Sequence, residues 1–222
     1  TLQTLMKTAF FDLDNTLISG DSDHLWGQFL CEINWVDKVN FLEKHDNFHK
    51  TYNDGTLDIE AYLQFVLSPI AGKSVRELRP KLDNFLTHYI EPLMLDAAFD
   101  LLADHRIAGD TLVIVTATNT LVARPIAERL GIDNLIGCDL KIVDGCYTGE
   151  VVGLPSFAEG KVHRVRKWLN GQRNNQAPTI FYSDSHNDIP LLSWVDQAVA
   201  VDPDKKLEKV AKTEGWTIIS LR

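Results

Sequence analysis

The sequence predicts an α/β protein in which a mostly parallel sheet lies between layers of helices, and three observations favour it. Short apolar runs end abruptly in polar residues, which is typical of parallel strands buried on both faces. Stretches of helical periodicity separate these runs, and such alternation indicates right-handed βαβ units. Neither an internal repeat nor a low-complexity stretch interrupts the pattern. The expected core is therefore Rossmann-like and has three layers.

The expected strands are the apolar runs themselves. They cover residues 8–11, 112–115, 179–182, 198–201 and 217–219. Apolar residues between these runs recur at helical spacing. The helices that they predict cover about residues 94–107, 121–130, 161–170 and 204–214.

Two insertions interrupt the alternation. Residues 19–91 carry apolar residues at helical spacing without a clear strand, for example Leu25, Phe29 and Ile33. We therefore expect a helical cap domain over 19–91, inserted into a core formed by residues 1–18 and 92–222. Residues 139–153 predict a small β-hairpin, because Asp144-Gly145 is a typical hairpin turn between two apolar runs.

Composition excludes several classes of function. The 222 residues include 31 acidic and 22 basic ones, which gives a formal net charge of −9 at pH 7. Such a chain has no general attraction for nucleic acid or an anionic membrane, and it carries no basic stripe. No run approaches the ~18 consecutive apolar residues of a membrane span. Three cysteines without a CxxC pair suit a reducing compartment. We expect a cytoplasmic monomer or homodimer.

Polar residues with chemical potential follow three of the predicted strands. Asp12 and Asp14 come directly after the first strand, and side chains two residues apart share a side in extended backbone. Ligands bind at the carboxyl edge of such sheets, so both carboxylates can reach one cleft. Paired hard oxygens favour Mg²⁺. Thr116 ends the second strand with a hydroxyl, and we expect a helix to open just after it, with backbone N–H groups for an anion.

Two later segments add to this pattern. Asp184 and Asp188 follow another apolar strand and precede a helix. Lys161 comes at a helix start, directly after Gly160, and supplies a positive charge. Each of these residues also has an ordinary structural use, because Thr and Asp commonly cap helices and lysines are commonly exposed.

Together these motifs resemble the haloacid dehalogenase superfamily of aspartate-nucleophile phosphatases. The four motifs occur in the family's order: DxDxT at 12–16, the hydroxyl of Thr116, Lys161, and DxxxD at 184–188. The cap position and the hairpin before Lys161 are similar to the type I cap, phosphoserine-phosphatase-like branch. Stretches such as FFDLDNTLISGDSDHLWGQFL resemble a subgroup often associated with histidinol-phosphate phosphatase.

The resemblance implies a role for each motif residue. Asp12 would be the nucleophile that forms an aspartyl-phosphate, and Asp14 the general acid and base. Mg²⁺ would be bound by Asp12, by the backbone carbonyl of Asp14 and by Asp184. Thr116 and Lys161 would hold phosphoryl oxygens, with Asp188 behind them orienting Lys161 or a metal-bound water.

Some positions depart from the family or leave alternatives open. Ser183 stands where a small Gly is usual, and Ala117-Thr118 replaces a common Gly pair. Ala117 and Asn187 are further candidates for phosphate contact. Retention of Asp14 argues for ester hydrolysis or phosphoryl transfer. A phosphomutase of the same superfamily and a non-catalytic phosphate-binding module remain as alternatives.

The substrate that the resemblance implies is a small, amine-bearing phosphate ester such as histidinol phosphate or O-phosphoserine. Asp21 and Asp23 either cap the helix that follows or bind the substrate ammonium. Arg124 is a candidate for a substrate carboxylate, although a solvated helix face is the favoured interpretation. His24 is expected to be a polar loop histidine.

Overall fold

A computed structural model describes residues 6–173 and 176–222 of the chain. Its strands are β1 (Thr8–Phe11), β2 (Thr111–Asn119), β3 (Asn134–Cys138), β4 (Leu140–Val143), β5 (Cys146–Val151), β6 (Thr179–Ser183), β7 (Gln197–Val201) and β8 (Thr217–Ile219). Its α-helices are α1 (Ser22–Glu32), α2 (Lys38–Asp54), α3 (Ile59–Leu67), α4 (Val75–Phe85), α5 (Asp96–Ala108), α6 (Thr120–Arg129), α7 (Glu159–Asn170), α8 (Ile189–Trp194) and α9 (Lys205–Glu214). Residues His186–Asp188 form a short 3₁₀ turn.

Six strands form one parallel sheet in the order β3-β2-β1-β6-β7-β8. β1 lies in the middle, with Phe11 in register with Ile114 of β2 and with Tyr182 of β6. The chain moves outward from β1 to β3 and then returns to the other side of β1. The order therefore reverses beside β1, and ligands bind at such a reversal in open α/β sheets.

The sheet is buried on both faces, which explains the continuous apolar runs. Phe10 and Phe181 pack with α7, α8 and α9 on one face, whereas Phe11 packs with α5 and α6 on the other. These layers confirm the predicted three-layer α/β core with its parallel sheet.

Apolar residues of α1, α3 and α4 join the core that contains Phe11. Trp26 and Phe29 of α1 pack against Phe85 of α4 with ring centroids 5.1 and 5.7 Å apart. The two connections to the sheet run side by side, because Ser19 N–H donates to the Leu93 carbonyl at 2.8 Å. These helices fall in the segment predicted as a cap, and the division at 19–91 remains a prediction.

The predicted hairpin is present as β4 and β5, with Asp144 (φ 49°) and Gly145 (φ 76°) at its turn. Positive φ at both residues is the reason for the Asp-Gly pair. The hairpin also contacts the helical segment, because Tyr147 N–H donates to the Lys73 carbonyl at 2.9 Å and Val75 N–H to the Gly145 carbonyl at 3.1 Å.

Two features differ from the sequence prediction. Strand β3 was not expected, whereas α8 is the helix expected after Asp188. β3 is an edge strand of five residues that contains Gly137, and its pairing with β2 shifts register between Val115 and Asn119. β2 extends beyond Thr116, where its end was predicted, to Asn119.

Candidate active site

The site lies where β1, β2 and β6 end together at one edge of the sheet. The helical segment faces this edge, and a cavity remains between the two. The cavity is lined by Asp12, Asp14, Asn15, Asp21, Asp23, His24, His45, Phe48, His49, Tyr52, Leu57, Ile59, Tyr62, Thr116, Ala117, Thr118 and Lys161. Asp184 lines an adjoining cleft, and both spaces share Asn15, Asp21, His49 and Tyr52.

A buried lysine joins two carboxylates at the floor of the cavity. Lys161 Nζ donates to Asp12 Oδ1 at 2.8 Å and to Asp188 Oδ2 at 2.7 Å. Ser183 Oγ donates to the same Asp188 oxygen at 2.7 Å. Ser183, which stands where the family usually has Gly, therefore helps to hold Asp188. That Asp188 orients Lys161 stays a prediction.

Burial and like charge shift the pKa values on the floor. Burial raises the pKa of Asp12 to about 7, against the attraction of Lys161, and Asp188 and Asp14 raise it further. Burial also raises the pKa of Asp184 well above its ordinary value, with Asp12 and Asp188 adding to the effect. Burial alone would lower the pKa of Lys161, but the two carboxylates beside it raise it overall. The floor thus holds more carboxyl groups than one lysine can neutralise.

A divalent cation fits this excess of hard oxygen donors. Mg²⁺ commonly uses one or two carboxylates and keeps several waters. Asp12 and Asp184 would supply carboxylates, and the backbone at Asp14 would supply a carbonyl. Among residues 6–173 and 176–222, no ready-made group of three or more His, Cys, Asp or Glu side chains surrounds a metal position.

Asp14 has a different environment, without a lysine. Its Oδ1 accepts from Ser22 N–H at 2.6 Å, and its Oδ2 accepts from Thr118 Oγ1 at 2.7 Å. Burial raises the pKa of Asp14 to about 6, helped by the charge of Asp21 and opposed by the bonds from Ser22 and Thr118. A carboxyl with such a pKa can exchange a proton near neutral pH.

Thr116 lies next to Asp14, but the backbone after it differs from the prediction. α6 begins at Thr120 with Asn119 as its N-cap, so the N–H groups after Thr116 belong to strand β2 and not to a helix end. β2 continues for three residues beyond Thr116, across the register shift in its pairing with β3. Thr116 is 1% exposed and accepts from Thr118 N–H at 3.1 Å, and Ala117 lines the cavity beside it.

The wall opposite the floor is acidic. Asp21 is the N-cap of α1, accepting from the N–H groups of Asp23 and His24, and His49 Nδ1 lies 3.6 Å from its Oδ2. Burial would raise the pKa of Asp21, but the His49 contact and these N–H groups lower it overall. Asp21 therefore caps a helix and lines the cavity at once.

Asp23 is 7% exposed and is the second acid of that wall. It accepts from Tyr62 Oη at 2.5 Å and from Asn119 Nδ2 at 3.1 Å. Burial raises its pKa to about 7, with Asp21 and Asp14 adding to the rise and the Tyr62 bond opposing it.

Three predicted residues differ from expectation. Arg124 does not line the cavity, because it lies on α6 and its Nη1 donates to the Asp133 carbonyl at 2.7 Å. Asn187 Nδ2 donates to the Tyr52 carbonyl at 3.1 Å, so its amide joins α2 to the core. His24 lies in helix α1 and not in a loop, with its ring stacked on His45.

Sequence reasoning missed most of the cavity's upper wall, which is the part of its lining that comes from α2 and α3. Tyr52, Tyr62, His45 and His49 belong to this wall, and no motif marks them. Thr118 of β2, which also lines the cavity, was missed as well. Thr118 carried a signal, because it replaces a family glycine.

A model of the haloacid dehalogenase-like hydrolase family matches residues 9–193 of the chain. The chain belongs to this family. The predicted family and enzyme class, a phosphatase of the haloacid dehalogenase type, are confirmed. The family assignment explains why Asp12, Thr116 and Lys161 occur in this order and at one sheet edge.

Individual relatives agree with the assignment. A histidinol-phosphatase of Neisseria meningitidis is 41% identical over 98% of this chain and 100% of its own length. A phosphoserine phosphatase of Mycobacterium tuberculosis is 34% identical over 98% of this chain and 72% of its own. A solved protein of unknown function from Bordetella pertussis Tohama I superposes with a TM-score of 0.91 at 39% identity, covering 99% of this chain and 100% of its own.

The described residues contain no helix that is long and apolar enough to cross a membrane.

Proposed function

We propose that this chain is a Mg²⁺-dependent phosphomonoesterase that works through an aspartyl-phosphate on Asp12. One observation carries the proposal: two neighbouring carboxylates have opposite environments. Asp12 is paired with Lys161, whereas Asp14 is held by the neutral donors Ser22 and Thr118. Carboxylates in such contrasting environments divide the roles of nucleophile and acid.

The residues of the chain then act in two steps. Asp12 attacks phosphorus, the phosphorus–ester oxygen bond breaks, and the leaving oxygen takes a proton from Asp14. Water then attacks the aspartyl-phosphate and gives a proton back to Asp14, and the phosphorus–Asp12 bond breaks. Throughout, Lys161 and Thr116 donate to the phosphoryl oxygens, on which charge collects.

Mg²⁺ dependence is general in this family, and the donors described above fit the ion. Asp12, the Asp14 carbonyl and Asp184 would hold it, with Asp188 behind them. When bound, the ion would neutralise phosphoryl charge and lower the pKa of Asp12, whose burial otherwise favours the protonated acid.

The proposed substrate is a small ester that carries an amine, as histidinol phosphate and O-phosphoserine do. The acidic wall of Asp21 and Asp23 supports this, because carboxylates in a partly closed cavity attract an ammonium group. The names of the relatives from Neisseria and Mycobacterium point to the same class. We propose a cytoplasmic enzyme, since all three cysteines are free thiols.

The test is release of inorganic phosphate from p-nitrophenyl phosphate, O-phosphoserine and histidinol phosphate. Asp12→Asn should abolish release from all three, and EDTA should do the same reversibly, with Mg²⁺ restoring activity. Asp144→Asn is the matched control, because Asp144 lies at the hairpin turn, where positive φ suits Asn equally. Retained activity in Asp12→Asn would refute the nucleophile. Transfer of phosphate to a second alcohol without net release would indicate a phosphomutase.

A further inference from the structure

We propose that Thr118 is a positioning residue: its hydroxyl holds Oδ2 of Asp14 as the oxygen that delivers the proton to the leaving alcohol. This inference rests on the proposed function, in which Asp14 is the acid. Thr118 itself touches neither phosphorus nor the ester oxygen in this scheme. It acts through Asp14.

The backbone of β2 brings Thr118 to this place. The register shift between Val115 and Asn119 interrupts regular pairing with β3, and Thr118 lies within it. Gly137 of β3 permits a close approach there, because a Cβ at that position would lie 3.0 Å from the Thr118 carbonyl. Thr118 is 4% exposed, so its hydroxyl has little water to bond and is directed to Asp14 at 2.7 Å.

The two bonds to Asp14 distinguish its oxygens. Oδ1 accepts from the Ser22 backbone N–H at 2.6 Å, and an amide N–H can only donate. When Asp14 is protonated, Oδ1 therefore stays the acceptor and the proton resides on Oδ2. Thr116 Oγ1 also lies 3.5 Å from Oδ2.

Thr118 can keep its bond in both states of Asp14. Its O–H donates to Oδ2 of the carboxylate, and a hydroxyl can equally donate to or accept from Oδ2 of the acid. The proton on Oδ2 moves to the ester oxygen as the phosphorus–oxygen bond breaks and its electron pair passes to that oxygen. Asp14 is left as the carboxylate, which the Thr118 donor then stabilises.

The test separates positioning from a structural role by varying the leaving group. Benzyl phosphate expels a poor leaving group that needs a proton, whereas p-nitrophenolate departs without one. The constant kcat/KM reports formation of the aspartyl-phosphate and not its hydrolysis, so it isolates the step concerned. Thr118→Val removes the hydroxyl at nearly constant shape, and Thr118→Ser restores it.

We expect Thr118→Val to lower kcat/KM for benzyl phosphate by about tenfold, the worth of one hydrogen bond to a charged group, and for p-nitrophenyl phosphate by less than about twofold. Thr118→Ser should recover most of the loss. Thr120→Val, at the neighbouring threonine on α6, is the matched control and should leave both substrates unchanged.

Equal losses on the two substrates would overturn the inference, because a general disturbance of the site does not depend on the leaving group. Absence of any loss would overturn it as well. Asp14→Asn should show the same contrast between substrates in stronger form. If the wild-type chain releases phosphate but Asp14→Asn lacks the contrast, the acid in the proposed function is wrong. If Thr118→Val alone lacks the contrast, the positioning role is wrong while Asp14 remains the acid.

Discussion

Gly160 and Pro155 approach each other so closely that any side chain at position 160 would overlap the Pro155 carbonyl oxygen. Gly160 is the second residue of α7 and directly precedes Lys161. The close contact therefore sets where α7 begins, and with it the position of the Lys161 side chain between Asp12 and Asp188. A glycine without any functional group of its own thus helps to set the charge geometry of the cavity floor.

Gly160→Ala should lower both stability and activity. The added methyl group has no space, so α7 must shift, at a cost of about 1–3 kcal/mol in the free energy of unfolding. The shift moves Lys161, and kcat should fall with it. Gly171→Ala at the end of α7 is the matched control, because a Cβ there meets its nearest atom at an ordinary 3.4 Å. Thermal melts and kcat of both variants check this, and equal behaviour would contradict the role of the contact.

Asp188→Asn should reduce kcat more than it affects folding. The change removes one of the two charges that hold Lys161, while an amide of the same shape can still bond Ser183. Partners of this kind are worth about 10–100-fold in activity. Asp196→Asn is the control, because the Asp196 carboxylate bonds Thr179 and does not line the cavity. Full kcat in the Asp188→Asn variant would refute the orienting role of Asp188.

Asp21→Asn should affect amine-bearing substrates selectively. Loss of the carboxylate weakens attraction for an ammonium group, and a KM increase of about tenfold corresponds to about 1.4 kcal/mol. The amide can still cap α1, because Asn is as good an N-cap as Asp. Activity on p-nitrophenyl phosphate, which has no amine, should stay close to wild type. An equal rise in KM for both substrates would argue against ammonium recognition.

His45 should make stability depend on pH. It is 1% exposed, and burial, with His24 as the second cause, lowers its pKa from 6.5 to about 4. The folded state keeps His45 neutral, so the unfolded chain binds more protons between these values and stability falls as pH drops from 6.5 towards 4. The full loss is about 3 kcal/mol, because each tenfold difference in proton affinity between the unfolded and folded chain corresponds to about 1.4 kcal/mol.

His45→Phe should remove this loss, because Phe has no titratable group. The new ring should fit, since Phe41 and Phe65 already pack against the ring at this position. Urea unfolding at several pH values between 4 and 7 measures the difference from wild type. His88→Phe, at an exposed histidine of the same segment, should keep the wild-type slope. Parallel slopes for wild type and His45→Phe would show that other groups govern the dependence.

The core and its motif residues were predictable because they follow local rules. Buried parallel strands give continuous apolar runs, and the polar residues that end them must meet at one sheet edge. Asp12 is predicted at this edge by its position after a strand, whereas Lys161, 149 residues away, is predicted there by the order of the family's motifs.

The upper wall was not predictable, because no local rule marks it. Tyr62 reaches Asp23 and Tyr52 reaches Ser185 only through the packing of α2 and α3 on the core. Helical spacing indicates which face of these helices is apolar, but not which polar residues line the cavity. The extension of β2 past Thr116 was missed for a related reason, since a shift in strand pairing depends on β3.

The bond from Ser19 to Leu93 and the bridge between Ile18 and Met94 bring the two ends of the helical segment together where it leaves the sheet. A segment whose ends meet can change in length without moving β1 and α5 apart. Under the proposed function, the phosphoryl chemistry belongs to the sheet edge, and the helices above it can differ in the alcohol that they admit.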